Sequence, residues 1–248
     1  MKKLKVLLLV VFVLTSGGSV FATPDSLSTI EPHISNFDKL KIAGPVDIQI
    51  VQGTTESLKI TAPTEVIDRI TVEVTGGVLK IHNKHDNWGK SELSWYGEKS
   101  VWQKRHYRIK AYLTVNMLKS ISVSGSGTAK FADGIKADHM SLRLRGSGSM
   151  EGKIDTRSLV TTISGSGNIK LSGNASNSRL KVSGSGVFNA PELITSNSNV
   201  HVSGSGDAKI NANDSITAGI SGSGSVNYTG AVKNISTTKS GSGSISRF

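Results

Sequence analysis

Cysteine is absent from the chain. That excludes disulfide staples, thiolate metal sites and the cysteine-linked lipid anchor of a bacterial lipoprotein. Aromatic residues are scarce, at 5% of 248 residues. A single compact core of that length normally uses more large side chains, whereas a stacked core of Val, Ile, Leu and Ala needs fewer. Long apolar runs are also missing beyond the first one. Residues 6–14 form an apolar stretch of nine, too short to span a bilayer, behind Lys2, Lys3 and Lys5. Val20-Phe21-Ala22 then fits a cleavage site with small residues at −3 and −1. Residues 1–22 therefore read as a signal peptide, which predicts an exported chain. Without that leader 26 Lys and Arg face 18 Asp and Glu, a net charge of +8. Such an excess favours anionic partners, or simply keeps exposed strands soluble. Export argues against nucleic acid as the partner.

Glycine is plentiful, and its placement is periodic. Gly-Ser-Gly begins at Gly125, Gly146, Gly165, Gly184, Gly204, Gly222 and Gly241, with spacings of 21, 19, 19, 20, 18 and 19. A flexible Gly/Ser linker would carry no apolar columns. Here Val123, Leu144, Ile163, Val182, Val202 and Ile220 stand two residues before the first glycine. Ala129, Met150, Ile169, Phe188, Ala208 and Val226 stand four residues after it. Polar residues alternate with them, the period-2 mark of a strand with one buried face. Counting by two through the corner places both glycines inside and the serines outside. Turn residues such as Asp133-Gly134 and Gly173-Asn174 mark further bends. Strands joined by corners at a fixed period make a coil. The predicted fold is all-β: a right-handed parallel β-helix, a solenoid with coils of about nineteen residues. Lys239 and Arg247 occupy normally apolar columns in the last repeat and predict a charged end cap.

Residues 37–82 also alternate, with turns at Gly44-Pro45 and Gly76-Gly77. They read as degenerate first coils continuous with the repeat, or as a separate small β-domain. Residues 23–35 read as a flexible N-terminal segment, and 36–248 as the β-helix domain. The leader, the pattern Phe-x-x-Leu-x-Ile-x-Gly-x-Val-Asp-Ile-x-Ile over 37–50 and the Ser-Gly-Ser-Gly coils together resemble the head GIN domain family, bacterial proteins of autotransporter-adhesin type and unknown function. The resemblance implies a parallel β-helix at the cell surface or in the periplasm. It implies no catalytic residue, because its motifs belong to the scaffold.

One stretch breaks the repeat, an aromatic-rich insertion at 83–107. It holds all three tryptophans, Trp88, Trp95 and Trp102, with Tyr96 beside them. Residues 82–110 carry seven Lys and Arg against three acids. Aromatic faces among cations suit sugar rings and acidic groups. These four residues are the candidate contact for a glycan or another anionic cell-envelope component. The other reading is that they pack the insertion onto the coils.

No catalytic or cofactor-binding residue is predicted. His82-x-x-His85 with Asp86 is too thin a set for a metal site. Asp207 follows one corner but recurs at no other, which does not support a calcium repeat. Asp133, Asp138, Asp155 and Asp214 lie in turns rather than in a cluster such as a polysaccharide lyase or hydrolase needs. The outward serines could bind a repetitive surface, or merely fit a tight exposed corner. The expected function is non-enzymatic surface interaction or adhesion in the periplasm, at the outer membrane or outside the cell. The alternatives are a polysaccharide-processing enzyme and a pure scaffold.

Overall fold

A computed structural model describes residues 26–84 and 108–248. Eight elements precede the regular repeat: β1 (Leu27–Ile30), β2 (Lys39–Ala43), β3 (Val46–Gln52), β4 (Ser57–Pro63), α1 (Thr64–Ile67), β5 (Ile70–Thr75), β6 (Val78–Asn83) and β7 (Ile109–Val115). The repeat follows as β8 (Ser120–Gly125), β9 (Thr128–Gly146), β10 (Ser149–Gly165), β11 (Asn168–Gly184), β12 (Val187–Gly204), β13 (Asp207–Gly222), β14 (Ser225–Thr229), β15 (Asn234–Ser240) and β16 (Ser244–Arg247).

Successive coils pair in parallel one repeat apart, Met150 with Ile169 and Ile163 with Val182. The expected parallel β-helix of about nineteen residues per coil is therefore the fold. The alternating apolar residues form its core: Leu144, Ile163, Val182 and Val202 are all fully buried in one column. Size varies within a column to keep it filled. Gly152 pairs with Phe131, one of the two largest buried side chains, and a Cβ at Gly152 would run into that ring.

The corner differs from the parity count. The second glycine points inward as expected: Gly148 and Gly167 are buried. A Cβ on Gly167 would lie 2.6 Å from Leu144 Cδ2 of the preceding coil. The first glycine instead lies at the surface, exposed at Gly125, Gly146, Gly165 and Gly184 and half-buried at Gly204 and Gly222, with a positive φ such as +101° at Gly146. Counting by two assumes extended dihedrals throughout, and a positive φ interrupts it. A Cβ on Gly146 would aim along the stack, 2.7 Å from Gly125 O. Glycine is needed there because adjacent coils touch backbone to backbone. The same peptides bond along the stack: Ser147 N donates to Gly125 O at 3.0 Å, and Ser166 N to Gly146 O at 3.0 Å. The corner is thus a ladder of hydrogen bonds with exposed Ser126, Ser147 and Ser166 on its outside.

The early strands do form coils, but not in chain order. β2 pairs in parallel with β8, and β3 with the start of β9, so residues 39–52 lie directly against the first Gly-Ser-Gly coil. The later strands β6 and β7 pair in parallel with the opposite edges of β2 and β3. The order along the stack is therefore β6/β7, β2/β3, β8/β9. Continuity of the degenerate coils with the repeat is corrected in this respect. β3 ends as the chain departs to build the next layer outward, leaving the third side of β9 without backbone to pair with. The Gln52 amide fills that gap, accepting from Lys136 N at 2.8 Å and donating to Lys136 O at 3.1 Å.

The outermost layer at this end runs backwards. β4 pairs antiparallel with β7, and β5 antiparallel with β6. Between them α1 buries Val66 and Ile67 in the core cluster. The expectation of a flexible segment over 23–35 does not hold where residues are described. β1 pairs antiparallel with β4, and Ile34 is buried. The segment is tied down because β4 would otherwise leave its backbone edge open.

Candidate functional site

The four predicted contact residues, Trp88, Trp95, Tyr96 and Trp102, lie outside the described residues, as do residues 1–22, His85 and Asp86. The two ends of the insertion are described, and they say what it replaces. Ile42 pairs with Ile81, and Val46 pairs with Ile109. Between Ile42 and Val46 the chain turns the corner through Ala43, Gly44 and Pro45. Between Ile81 and Ile109 the same corner is replaced by residues 82–108. The insertion thus springs from the glycine corner of the N-terminal coil. Lys84 N donates to Arg69 O at 2.8 Å on one side of this root. On the other, Arg108 Nη1 reaches both oxygens of Asp47, at 3.1 and 3.0 Å. A shallow groove beside the root is lined by Asp47, Gln49, Lys110, Tyr112 and Lys130, and Tyr112 is exposed. It offers an aromatic ring beside cations, the same chemistry as the insertion.

His82 is committed locally. Its Nδ1 lies 2.8 Å from Asn83 O, and its Nε2 lies 3.9 Å from Glu73. Glu73 accepts from Lys80 Nζ at 2.7 Å, and that bond holds its carboxyl below the ordinary value. Among the described residues no group of three His, Asp or Glu could hold a metal. No helix among them is long and apolar enough to cross a membrane.

Register reveals a second feature. The strand segments leading into the corner form one flat face. Beyond the N-terminal coil, where β6 and β5 carry Lys80 and its partner Glu73, they comprise residues 39–43, 120–124, 141–145, 160–164, 179–183, 199–203, 217–221 and 236–240. They contain seven Lys and Arg and no Asp or Glu. The segments leaving the corner, 46–50, 128–132, 149–153, 168–172, 187–192, 207–211, 225–229 and 244–247, carry five cations and four acids. On that trailing face charges pair, as Lys170 does with Glu151 at 3.4 Å. On the leading face Arg143, Arg145, Arg179 and Lys181 are exposed. Among the described residues no acid pairs with any of these four. Sequence reasoning missed this group because it judged each column by alternation and not by sign of charge.

Comparison with known proteins agrees with the fold. A crystal structure of a putative adhesin from Bacteroides fragilis NCTC 9343 is similar at 25% identity, covering 91% of this chain and 98% of that one, with a TM-score of 0.78. A putative lipid binding protein from Parabacteroides distasonis ATCC 8503 is similar at 26% identity, covering 90% and 96%, with a TM-score of 0.69. A putative adhesin from Parabacteroides merdae ATCC 43184 shares the fold at 21% identity, covering 90% and 96%, with a TM-score of 0.67. No match is found among curated proteins. The family profile "Putative auto-transporter adhesin, head GIN domain" matches residues 36–232. The chain, whose Gly-Ser-Gly corners and Phe37–Ile50 pattern already carried that resemblance, belongs to the head GIN domain family.

Proposed function

We propose that the chain is an exported, non-enzymatic β-helical protein of surface interaction or adhesion, and that the insertion bearing Trp88, Trp95, Tyr96 and Trp102 makes the contact. The partner is a glycan or another component of the cell envelope, met in the periplasm, at the outer membrane or outside the cell. The observation that carries this reading is the root of the insertion. A tight glycine corner is the cheapest way to close a coil, and every Gly-Ser-Gly coil uses one. At the N-terminal coil alone the corner gives way to residues 82–108, which hold all the tryptophans. A stretch that adds aromatic and cationic groups where closure needs none is suited to recognition. The leader at 1–22 supports export, and the adhesin-like relatives support surface interaction.

A glycan array probed with the chain lacking residues 1–22 tests the proposal. Binding to a defined glycan, lost in the Trp95→Ala/Trp102→Ala variant with no sugar product released, is the expected result. Release of sugar fragments would replace this reading with a polysaccharide-processing enzyme. Absence of both binding and turnover would leave a scaffold.

A further inference from the structure

The leading face is charged in a way that neither the insertion nor the fold requires. We infer that it is a second binding surface, for a linear acidic polysaccharide, centred on Arg143, Arg145, Arg179 and Lys181. The inference stands apart from the aromatic insertion, whose described ends, Lys84 and Arg108, adjoin the N-terminal coil.

The register fixes how these cations are arranged. Arg143 and Arg145 lie on one coil, two residues apart on the same side of the strand and so roughly 7 Å apart. Thr162 pairs with Arg143 below and with Lys181 above, so Lys181 lies two coils from Arg143 in the same column. At about 4.8 Å per coil that separation is roughly 10 Å. Val160 likewise pairs with Ser141 and Arg179. Two cationic coils thus flank one uncharged coil, whose outward residues are Val160, Thr162 and Ser164. The result is a shallow track with two guanidinium groups on one rim, a guanidinium and an ammonium on the other, and a hydroxyl-bearing floor. Asp138, earlier in the coil that carries Arg143 and Arg145, is already engaged: it pairs with Arg157 at 3.3 Å.

The form of the ligand follows from this geometry. A small anion on an open face meets one or two hydrated cations and is held weakly. A polymer bearing a charge on each unit engages all four at once, and its second and later contacts are intramolecular. Arginine suits carboxylates, which its planar fork meets with two parallel hydrogen bonds. A lipid bilayer fits less well. Stable attachment there needs apolar groups to insert, and Val160 is the single large apolar side chain exposed on this face among the described residues.

Titration calorimetry with polygalacturonate, neutral dextran and phosphatidylglycerol vesicles tests the inference on two charge-reversed variants. Arg143→Glu/Arg179→Glu alters the leading face. Lys153→Glu/Lys209→Glu makes the same net charge change on the trailing face. The chain should bind polygalacturonate, with affinity falling as salt rises, and should ignore dextran. The leading-face variant should lose about tenfold or more in affinity and the trailing-face variant less than about threefold. An Arg143→Gln/Arg179→Gln variant, checked for an unchanged melting temperature, guards against a folding defect and should show the same ranking. Equal losses on both faces would reduce the effect to bulk charge and overturn the inference. So would failure to bind polygalacturonate, or vesicle binding that depends on the leading face while polygalacturonate is ignored. The Trp95→Ala/Trp102→Ala variant should keep its polygalacturonate affinity, so failure at the insertion and failure here are separate results.

Discussion

The two ends of the stack are closed by different means. At the N-terminal end the chain builds its own lid. β4 and β5 run antiparallel to the coil beneath them, α1 buries Val66 and Ile67, and β1 covers the edge of β4. At the other end β15 is exposed along its whole length and pairs on one side only, with β13. There Lys239 lies over Ile220, and Arg247 lies over Tyr228 and donates to Gly230 O at 2.9 Å. A stack of identical coils offers an open backbone edge at each end. Reversing strand direction ends the parallel template. Placing cations over apolar columns leaves the template intact but makes it unattractive. The first device contributes to stability, and the second contributes mainly to solubility.

A buried charge in the lid tests this division most severely. Val66 is 1% exposed, whereas Ile235 in β15 is 52% exposed. Val66→Asp should cost about 3–5 kcal/mol in urea unfolding, because it leaves an unpaired carboxylate in the core. Ile235→Asp should change stability by less than about 0.5 kcal/mol. Similar costs at the two sites would mean that the C-terminal coil is as cooperative as the lid.

The corner glycines sharpen the comparison along the stack. Gly146→Ala meets both a positive φ and a carbonyl 2.7 Å from the new Cβ, so a cost of about 2–4 kcal/mol is expected. At Gly44, with φ +93°, nothing lies within 4 Å of a Cβ. Gly44→Ala should therefore cost about 1–2 kcal/mol from the backbone alone. Gly241 has the same clash as Gly146, with Gly222 O at 2.5 Å. Its coil is exposed and can open locally, so Gly241→Ala should cost less than about 1 kcal/mol of global stability. Faster amide exchange confined to β15 and β16 would be the accompanying sign.

How far these features were legible in the sequence varied by kind. The core columns, the nineteen-residue period and the cations at Lys239 and Arg247 were all visible, because each is a local or periodic pattern. The inverted order of β6/β7 and β2/β3 was not. Alternation in residues 39–52 and 78–83 shows that each is a strand but not which edge it joins. The outward first glycine was hidden because positive φ breaks the counting by two. The lid was hidden for a related reason, since four helical residues make less than two turns and carry no period. For the candidate sites, the tryptophans and their excess of cations were plain. That the insertion takes the place of a corner needed the pairing of Ile42 with Ile81 and of Val46 with Ile109. The acid-free face emerged only when register aligned Arg143, Thr162 and Lys181.

The ion pair where the chain re-enters the stack is a smaller test of the N-terminal construction. Lys119 Nζ lies 2.9 Å from Asp38, and this hydrogen bond and charge hold the Asp38 carboxyl below its ordinary value. A depressed carboxylate stabilises the fold above its unfolded value, and the effect is lost as pH falls through the folded one. Lys119→Ala should therefore cost about 0.2–1 kcal/mol at neutral pH and nothing once Asp38 is protonated. Thermal melts of both proteins at neutral and strongly acidic pH would show the two curves converging. A difference that persists in acid would assign the effect to packing of the lysine stem.

The smallest expected change in monomer stability carries the sharpest statement about the open end. Lys239→Ile/Arg247→Val would extend two apolar columns into the last coil, and folding stability should move by less than about 0.5 kcal/mol because both sites are exposed. Association should change far more. β15 and β16 would then present unpaired backbone groups together with apolar side chains, the combination that templates strand addition. Sedimentation velocity across a concentration series should show the wild type unchanged and the double variant moving to larger species. The same substitution pattern on the trailing face, Lys130→Ile/Lys209→Val, should not associate in this way, because those strands already have partners on both edges. If both variants associate alike, exposed apolar area alone is responsible. If only the C-terminal variant does, Lys239 and Arg247 are what keeps an open edge single.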